Sequence, residues 1–134
     1  MDKNFEADQC PPKPSLEERT LLSLARARDL EGTFKMLGNA TRLRLLHALV
    51  RSGELCVGEL VKTLDMKQSA VSNQLRQLSD RGVVEARRNG LHMYYRIADP
   101  CVVTLLERGW CLTEEAAARV SRQPREEWYP DLVG

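Results

Sequence analysis

The spacing of hydrophobic residues predicts two helices between residues 15 and 53. After Ser15, apolar side chains recur every three or four residues, fade near Gly32 and resume with Phe34, which is the pattern of an amphipathic helix. Ser15 and Glu18 have the spacing of a capping box, so we expect the first helix to begin there. A second helix is expected from about Asn39 to Gly53, because these residue types favour the two ends of a helix.

On the second helix, Leu43, Leu46 and Val50 are expected to share one face. The stretch ELCVGELVKTLDM predicts a short third helix from about Val57 to Leu64. KQSAVSNQLRQLSDRG predicts a fourth helix that stops near Gly82. The residues of the fourth helix that are expected to face inward are Val71, Leu75 and Leu78.

After the fourth helix, the spacing of the apolar residues changes from that of a helix to the alternation of a strand, which indicates a hairpin. Asn89-Gly90 is a strong signal for a tight turn between two strands. Beyond it, apolar and polar residues alternate, as in a half-buried strand; the apolar set is Leu91, Met93, Tyr95 and Ile97. A last long helix is expected from about Pro100 to Val120.

This order of elements predicts a mainly α protein with a two-stranded β-hairpin, arranged as a winged helix-turn-helix. Residues 1–14 contain three prolines and mixed charges, so they are interpreted as a flexible N-terminal arm. Residues 15–121 are interpreted as one domain, and residues 122–134 as a C-terminal tail.

Composition indicates a soluble globular protein, and the distribution of charge is more informative than the total. The formal net charge is +1 over 134 residues, yet the segment from Met66 to Arg96 carries +4 and the remainder −3. Such an asymmetry favours a polyanionic partner. No apolar run approaches a membrane span, and the N-terminus lacks the apolar core of a signal peptide. The protein is therefore expected in the cytoplasm, where its four cysteines would be core residues or ligands rather than a disulfide frame.

The polar side of the fourth helix and the wing form a candidate surface for nucleic acid. Hydrogen-bonding side chains opposite the apolar stripe suit a helix in the major groove of DNA; they are Gln68, Ser69, Ser72, Asn73 and Arg76. Near the wing tip, Arg87, Arg88 and His92 are placed to meet phosphates or a minor groove. The alternative is that these residues only form a solvated face.

Four separated segments resemble the ArsR/SmtB family of bacterial repressors, in that family's order and spacing. They are ATRLRLLHAL, ELCVGEL, SAVSNQLRQL and GLHMYYRI, and the resemblance extends from about Phe34 to Asp99. It implies a homodimer, with dimerisation helices at both ends of the domain, that needs no cofactor. Such a dimer binds double-stranded operator DNA when ligand-free and releases it on sensing an inducer. Asn73 departs from the family, in which many members carry histidine.

The same resemblance suggests where an inducer binds. Family members that sense through the third helix often contain Cys-Val-Cys, whereas this chain has Cys56-Val57-Gly58. Other members share the Cys-Val-Gly pattern and complete the site from the partner's N-terminal arm, a role that fits Cys10. Glu59 follows Cys56 by three residues and could supply an oxygen from the same helical face. Two thiolates and a carboxylate suit Cd(II), Pb(II) or Zn(II), and As(III) or Sb(III) is a further candidate.

A second, less favoured set of ligands is Asp99, Cys101 and Cys111. The two cysteines are separated by about 15 Å of helical rise, too far for a bridge within one helix. Two other mechanisms stay open. One is redox or reactive-sulfur sensing through cysteine oxidation, by Cys10 with Cys56 or by Cys101 with a partner across the dimer. The other is DNA binding without any ligand.

An alternative from another class is a cysteine hydrolase that uses Cys56 or Cys111 with His47 or His92. His47 falls in the second helix and His92 in the wing. No glycine-rich loop or oxyanion-type turn accompanies either cysteine. The protein is therefore not expected to be an enzyme.

Overall fold

A computed structural model describes residues 11–122 as five α-helices and a small antiparallel sheet, in the order of a winged helix-turn-helix. The predicted fold class is confirmed, and the predicted arm and tail lie largely outside the described residues. The helices are α1 (Leu24–Leu37), α2 (Ala40–Ser52), α3 (Val57–Leu64), α4 (Gln68–Asp80) and α5 (Pro100–Arg122). The strands are β1 (Leu55–Cys56), β2 (Val84–Asn89) and β3 (His92–Ile97), in the spatial order β1-β3-β2. None of the described helices is long and apolar enough to span a bilayer.

The first helix starts later than the sequence predicted. Ser15 and Glu18 do form a cap, in which the Ser15 N–H donates to the Glu18 carboxylate over 3.2 Å, but only one 3-10 turn follows (Leu16–Glu18). The α-helix α1 begins at Leu24 after Ser23, whose hydroxyl accepts from the Arg26 N–H over 3.1 Å. The side chains of Leu16 and Leu21 are 86% and 94% exposed. Without packing, a cap alone does not offset the cost of starting a helix.

The core lies between α2, α3, α4 and the sheet. The predicted inward face of α4 is confirmed, because Val71, Leu75 and Leu78 are all fully buried. On α2, Leu43, Leu46 and Val50 lie along one side of the helix, as predicted, but only Leu46 is buried, while Leu43 and Val50 are 38% and 40% exposed. The core is filled instead by the other apolar residues of that helix, which are Leu45, Ala48 and Leu49. Helix α2 therefore has apolar residues on both its inner and its outer sides.

The hairpin forms where it was predicted, although its turn is displaced by one residue. Asn89 pairs with His92, so the two-residue loop is Gly90-Leu91. Gly90 has φ +69°, while Leu91 does not have a positive φ. This arrangement matches a type II′ turn, which places glycine first, rather than a type I′ turn centred on Asn89-Gly90. Leu91 is consequently exposed at the tip, while Ile97 at the far end of β3 is buried.

Strand β1 was not predicted, because two residues are too few to show a period. Leu55 pairs with Tyr95 and Cys56 with Tyr94, which adds a third strand to the two-stranded hairpin. Partners in an antiparallel pair point to the same face of a sheet. The strand therefore fixes the N-terminal end of α3 directly against the wing.

Replacing Gly90 by alanine is expected to destabilise the fold by about 1–2 kcal/mol, because an L-residue is disfavoured at a left-handed backbone position. A Cβ at this position meets no atom within 4 Å, so the cost is conformational and not steric. The midpoint of urea unfolding measures the effect. Gly58→Ala is the control: it lies in α3, also with open space around its Cβ. This control should be neutral or stabilising by up to about 1 kcal/mol; equal losses in both variants would contradict the assignment of the turn.

Candidate nucleic-acid interface and thiol positions

Helix α4 presents the predicted polar side chains along one side, opposite its buried stripe. Gln68, Ser69 and Arg76 are exposed, while Ser72 and Asn73 are half-buried. The Arg76 guanidinium donates to Oδ1 of Asn73 over 2.7 Å. Because Oδ1 is engaged in this way, the Asn73 amide keeps its two N–H donors for another partner. The pair thus presents a cation beside an oriented amide.

Sequence reasoning missed Arg42, which holds α4 against the rest of the domain. From α2, its Nε donates to the side-chain oxygen of Gln74 over 2.7 Å, and its Nη2 donates to that of Gln77. Its Nη1 donates to the Met36 carbonyl near the end of α1 over 2.8 Å. One half-buried guanidinium therefore joins three helices. The only sequence signal is the spacing of Gln74 and Gln77, which places both amides on one face of α4.

In the wing, Arg87 is bound to a carboxylate that the sequence analysis did not associate with it. Its Nε and Nη2 donate to the two oxygens of Glu54 over 2.7 and 2.9 Å. Its guanidinium carbon lies 5.5 Å from the centre of the Tyr94 ring, within the range of a cation–π contact. The hydrogen bond from Arg87, opposed by slight burial, lowers the pKa of the Glu54 carboxyl, and Glu54 raises the pKa of Arg87. Both groups are therefore charged at neutral pH, and the pair is lost only in acid, as the pH falls through the lowered pKa of Glu54.

The other two predicted wing residues are accessible. Arg88 and His92 are exposed, and within residues 11–122 Arg88 makes no ion pair. The His92 ring lies edge-on to Tyr94, with 6.4 Å between the ring centres. A second ion pair crosses the same sheet farther from the tip, where Arg96 Nη2 lies 2.6 Å from the Glu85 carboxylate.

Cys56 lies at the N-cap of α3, half-buried and with a free thiol. Its backbone N–H donates to the Glu59 carboxylate over 3.0 Å. Glu59 is therefore beside Cys56, as its spacing predicted, but one of its oxygens already caps the helix. Cys10 lies outside the described residues. Within the part of the chain that the structure describes, no three His, Cys, Asp or Glu side chains are grouped to hold a metal ion.

The second set of thiols lies on α5. The Asp99 carboxylate accepts from the Cys101 N–H over 2.9 Å, and thus caps the first turn of the helix. Cys111 is exposed with a free thiol, whereas Cys101 is disulfide-bonded. The expectation that the cysteines are core residues or ligands does not hold for Cys101. That expectation came from the redox state of the cytoplasm, which carries no information about which sulfur atoms the fold brings together.

The histidines of the hydrolase alternative lie where the sequence predicted them. His47 is on α2 and packs edge-on against Trp110 of α5, with 5.4 Å between ring centres. His92 is the first residue of β3. Each ring thus makes an aromatic contact of the kind that stabilises packing.

Comparison with known proteins gives consistent similarities. Residues 39–86 match the family described as "Bacterial regulatory protein, arsR family". The cadmium resistance transcriptional regulatory protein CadC of Listeria innocua is 35% identical over 89 residues, which are 66% of this chain and 75% of that protein.

Two solved structures extend the similarity to the fold. The crystal structure of the AntR antimony-specific transcriptional repressor is 53% identical, with a TM-score of 0.68, over 82% of this chain and 99% of that one. A homodimeric winged helix-turn-helix DNA-binding domain of Mycobacterium bovis is 31% identical, with a TM-score of 0.62, over 75% of this chain and 95% of that one.

Proposed function

Because the chain belongs to the arsR family of bacterial regulatory proteins, we propose that it is a repressor whose homodimer binds operator DNA and releases it when an inducer reacts with its thiols. The relatives are transcriptional regulators and not enzymes, as the sequence analysis predicted. The observation that carries the proposal is the polar side of α4, where Arg76 and Asn73 form a preset pair of hydrogen-bonding groups. Arg88 and His92 in the wing add a contact to the DNA backbone. Because a bacterial operator lies in the cytoplasm, the proposed function requires that the protein works there.

Exposed apolar side chains on α1 and α5 support the homodimer. Large hydrophobic residues on these two helices are exposed in the single chain: Leu24, Leu30, Phe34, Trp110, Leu112 and Val120. An exposed apolar surface of this kind is typical of an interface between protein chains. Two-fold symmetry would present two copies of α4 to the half-sites of a palindromic operator.

The proposed inducer is a thiophilic ion, as the sequence analysis suggested. The names of the relatives include cadmium resistance and antimony specificity. Sulfur ligands suit Cd(II), Pb(II), Zn(II), As(III) and Sb(III). In the first proposed site, Cys56 and Glu59 combine with Cys10 of the partner's arm. The second site uses Asp99, Cys101 and Cys111, brought together across the dimer, and it requires that the disulfide of Cys101 is first reduced. The hydrogen bond from the Cys56 N–H to one Glu59 oxygen supports the first site because it holds the carboxylate beside Cys56, and the other oxygen is not used in this bond.

A second candidate mechanism is redox sensing through cysteine oxidation. Its supporting observation is the disulfide bond of Cys101, which lies in the first turn of α5. A thiol that can enter a disulfide can also respond to an oxidant or to reactive sulfur.

The test is release of operator DNA from the purified dimer, first reduced and then freed of reductant because Cys101 is disulfide-bonded. The agents are cadmium, lead, zinc, arsenite, antimonite or an oxidant, and release is measured by gel shift. Cys56→Ser is expected to bind the operator as the unmodified protein does, because serine is a good N-cap residue. It should then need at least about tenfold more metal ion or metalloid for release, which corresponds to about 1.4 kcal/mol of lost inducer binding. If these ions release Cys56→Ser from DNA at the same concentrations as the unmodified protein, the inducer site would be assigned to Cys101 and Cys111 instead. Release by oxidant alone would support the redox mechanism, and no release by any agent would leave a ligand-independent DNA binder.

A further inference from the structure

The contact between Glu54 and Arg87 has the geometry that arginine also uses for phosphate. Two parallel N–H groups of the guanidinium donate to the two oxygens of one carboxylate, over 2.7 and 2.9 Å. A phosphate of the DNA backbone offers the same arrangement of two oxygens to the same fork. Arg87 can make this bidentate contact either with the Glu54 carboxylate or with a phosphate, but not with both at once.

The sheet holds the two residues in this contact from opposite sides. Cys56 of β1 pairs with Tyr94 of β3, and Tyr94 in turn pairs with Arg87 of β2. Glu54 directly precedes β1, so its carboxylate reaches Arg87 across the central strand, while the Tyr94 ring contacts the guanidinium at 5.5 Å. The partners are 33 residues apart in sequence. The contact therefore depends on β1 and the wing being in register.

The pair is exposed to solvent. The side chain of Arg87 is 55% exposed and that of Glu54 is 28% exposed. Because an exposed ion pair is worth at most about 1 kcal/mol, a phosphate that approaches the wing competes with Glu54 on nearly equal terms.

We propose that Glu54 is a positioning residue that competes with operator phosphate for Arg87 and so withholds one wing cation from DNA. This inference rests on the proposed DNA-binding function. It assigns unequal roles to the two arginines of the wing: Arg88 meets the backbone directly, whereas Arg87 does so only to the extent that Glu54 releases it. Glu54 thereby limits the sequence-independent part of the affinity, which comes from phosphate contacts.

The test measures the affinity of the full-length dimer for its own promoter DNA by fluorescence anisotropy at several KCl concentrations. Glu54→Gln removes the negative charge, and we expect tighter binding with a steeper salt dependence. One added phosphate contact steepens the slope of log K against log [KCl] by about 0.9, so the gain at 50 mM salt should exceed that at 200 mM about 3- to 4-fold. A purely structural role for Glu54 would not steepen this slope.

A matched control is the second ion pair of the same sheet. Glu85→Gln removes the same charge from a carboxylate that binds Arg96, at 2.6 Å, and not Arg87. It should leave the slope unchanged, because Arg96 lies farther from the tip of the hairpin than Arg87 and is not among the proposed DNA contacts. The double variant Glu54→Gln/Arg87→Gln should lose the added slope of Glu54→Gln, because the released cation is then absent.

Three results would overturn the inference: weaker binding by Glu54→Gln, an unchanged slope, or an added slope that persists in the double variant. Glu54→Asp is the second variant should Glu54→Gln fold poorly. It keeps the charge, but its side chain is one methylene group shorter, so we expect its contact with Arg87 to be weaker and the slope to steepen in the same direction by a smaller amount. If the unmodified protein does not bind its promoter even at low salt, the proposed function itself fails, and this result is distinct from the other three.

Discussion

Replacing Arg42 by methionine is expected to destabilise the domain by about 1.5–3 kcal/mol, the typical value of hydrogen bonds to a charged group. Methionine keeps much of the length of the side chain but donates no hydrogen bond. The variant leaves the half-buried amide oxygens of Gln74 and Gln77 and the carbonyl of Met36 without this donor. Chemical unfolding, followed by circular dichroism at a fixed protein concentration, measures the loss.

The same variant is expected to weaken operator binding at temperatures where it remains folded. Arg42 joins the end of α1 to α4, the proposed recognition helix, through one rigid guanidinium. Its loss is expected to let α4 change its orientation relative to the proposed dimerisation surface. A two-fold dimer needs both recognition helices at a fixed spacing to engage two half-sites. Operator affinity should therefore fall more than affinity for a single half-site.

Arg44 offers the control for this prediction. It lies on the same helix, and its Nη1 makes one long contact of 3.4 Å with the Leu64 carbonyl. Arg44→Met should change the stability by no more than about 0.5 kcal/mol, as is usual for surface substitutions. If Arg42→Met and Arg44→Met behave alike in both measurements, the hydrogen bonds of Arg42 do not position α4.

The sequence predicted α3 and α4 well because each of these helices buries a single stripe. The polar side of α4, with Gln68 and Arg76, then follows as the side opposite Val71, Leu75 and Leu78. The sequence predicted helix α2 itself but not which of its sides is buried, because it carries apolar residues on both its inner and its outer sides. Periodicity identifies an apolar stripe, but it does not reveal which stripe enters the core of the same chain.

The contacts that organise the candidate site could not be predicted from periodicity. Arg42 meets its partners 32 and 35 residues away, and Arg87 meets Glu54 33 residues away. Such pairs depend on how the elements pack, and each partner taken alone looks like an ordinary surface residue. Strand β1 is a second example, because its two residues become a strand only through pairing with Tyr94 and Tyr95 of β3.

Replacing Asn73 by alanine is expected to reduce operator affinity by about 1–3 kcal/mol, the usual range for a good contact to a base edge. Asn73 is half-buried on the exposed side of α4, and its oxygen accepts from Arg76 over 2.7 Å. The substitution therefore removes an amide donor and also the group that orients the Arg76 guanidinium. Affinity for DNA of unrelated sequence should be nearly unchanged, because that binding comes from phosphate contacts.

Competition between operator and scrambled duplexes separates this loss of specificity from a general loss of binding. Arg76→Ala should weaken binding to both duplexes and lower the salt slope by about 0.9, since it removes a cation. Asn73→His replaces the amide by the histidine that many family members carry, which also donates and accepts hydrogen bonds. This variant should therefore keep DNA binding while it changes the preferred bases. An Asn73→Ala protein that binds operator and scrambled DNA in the unmodified ratio would show that this side of α4 does not read the sequence. Because the same pair of side chains carries the proposed function, that result would also require a different surface for DNA.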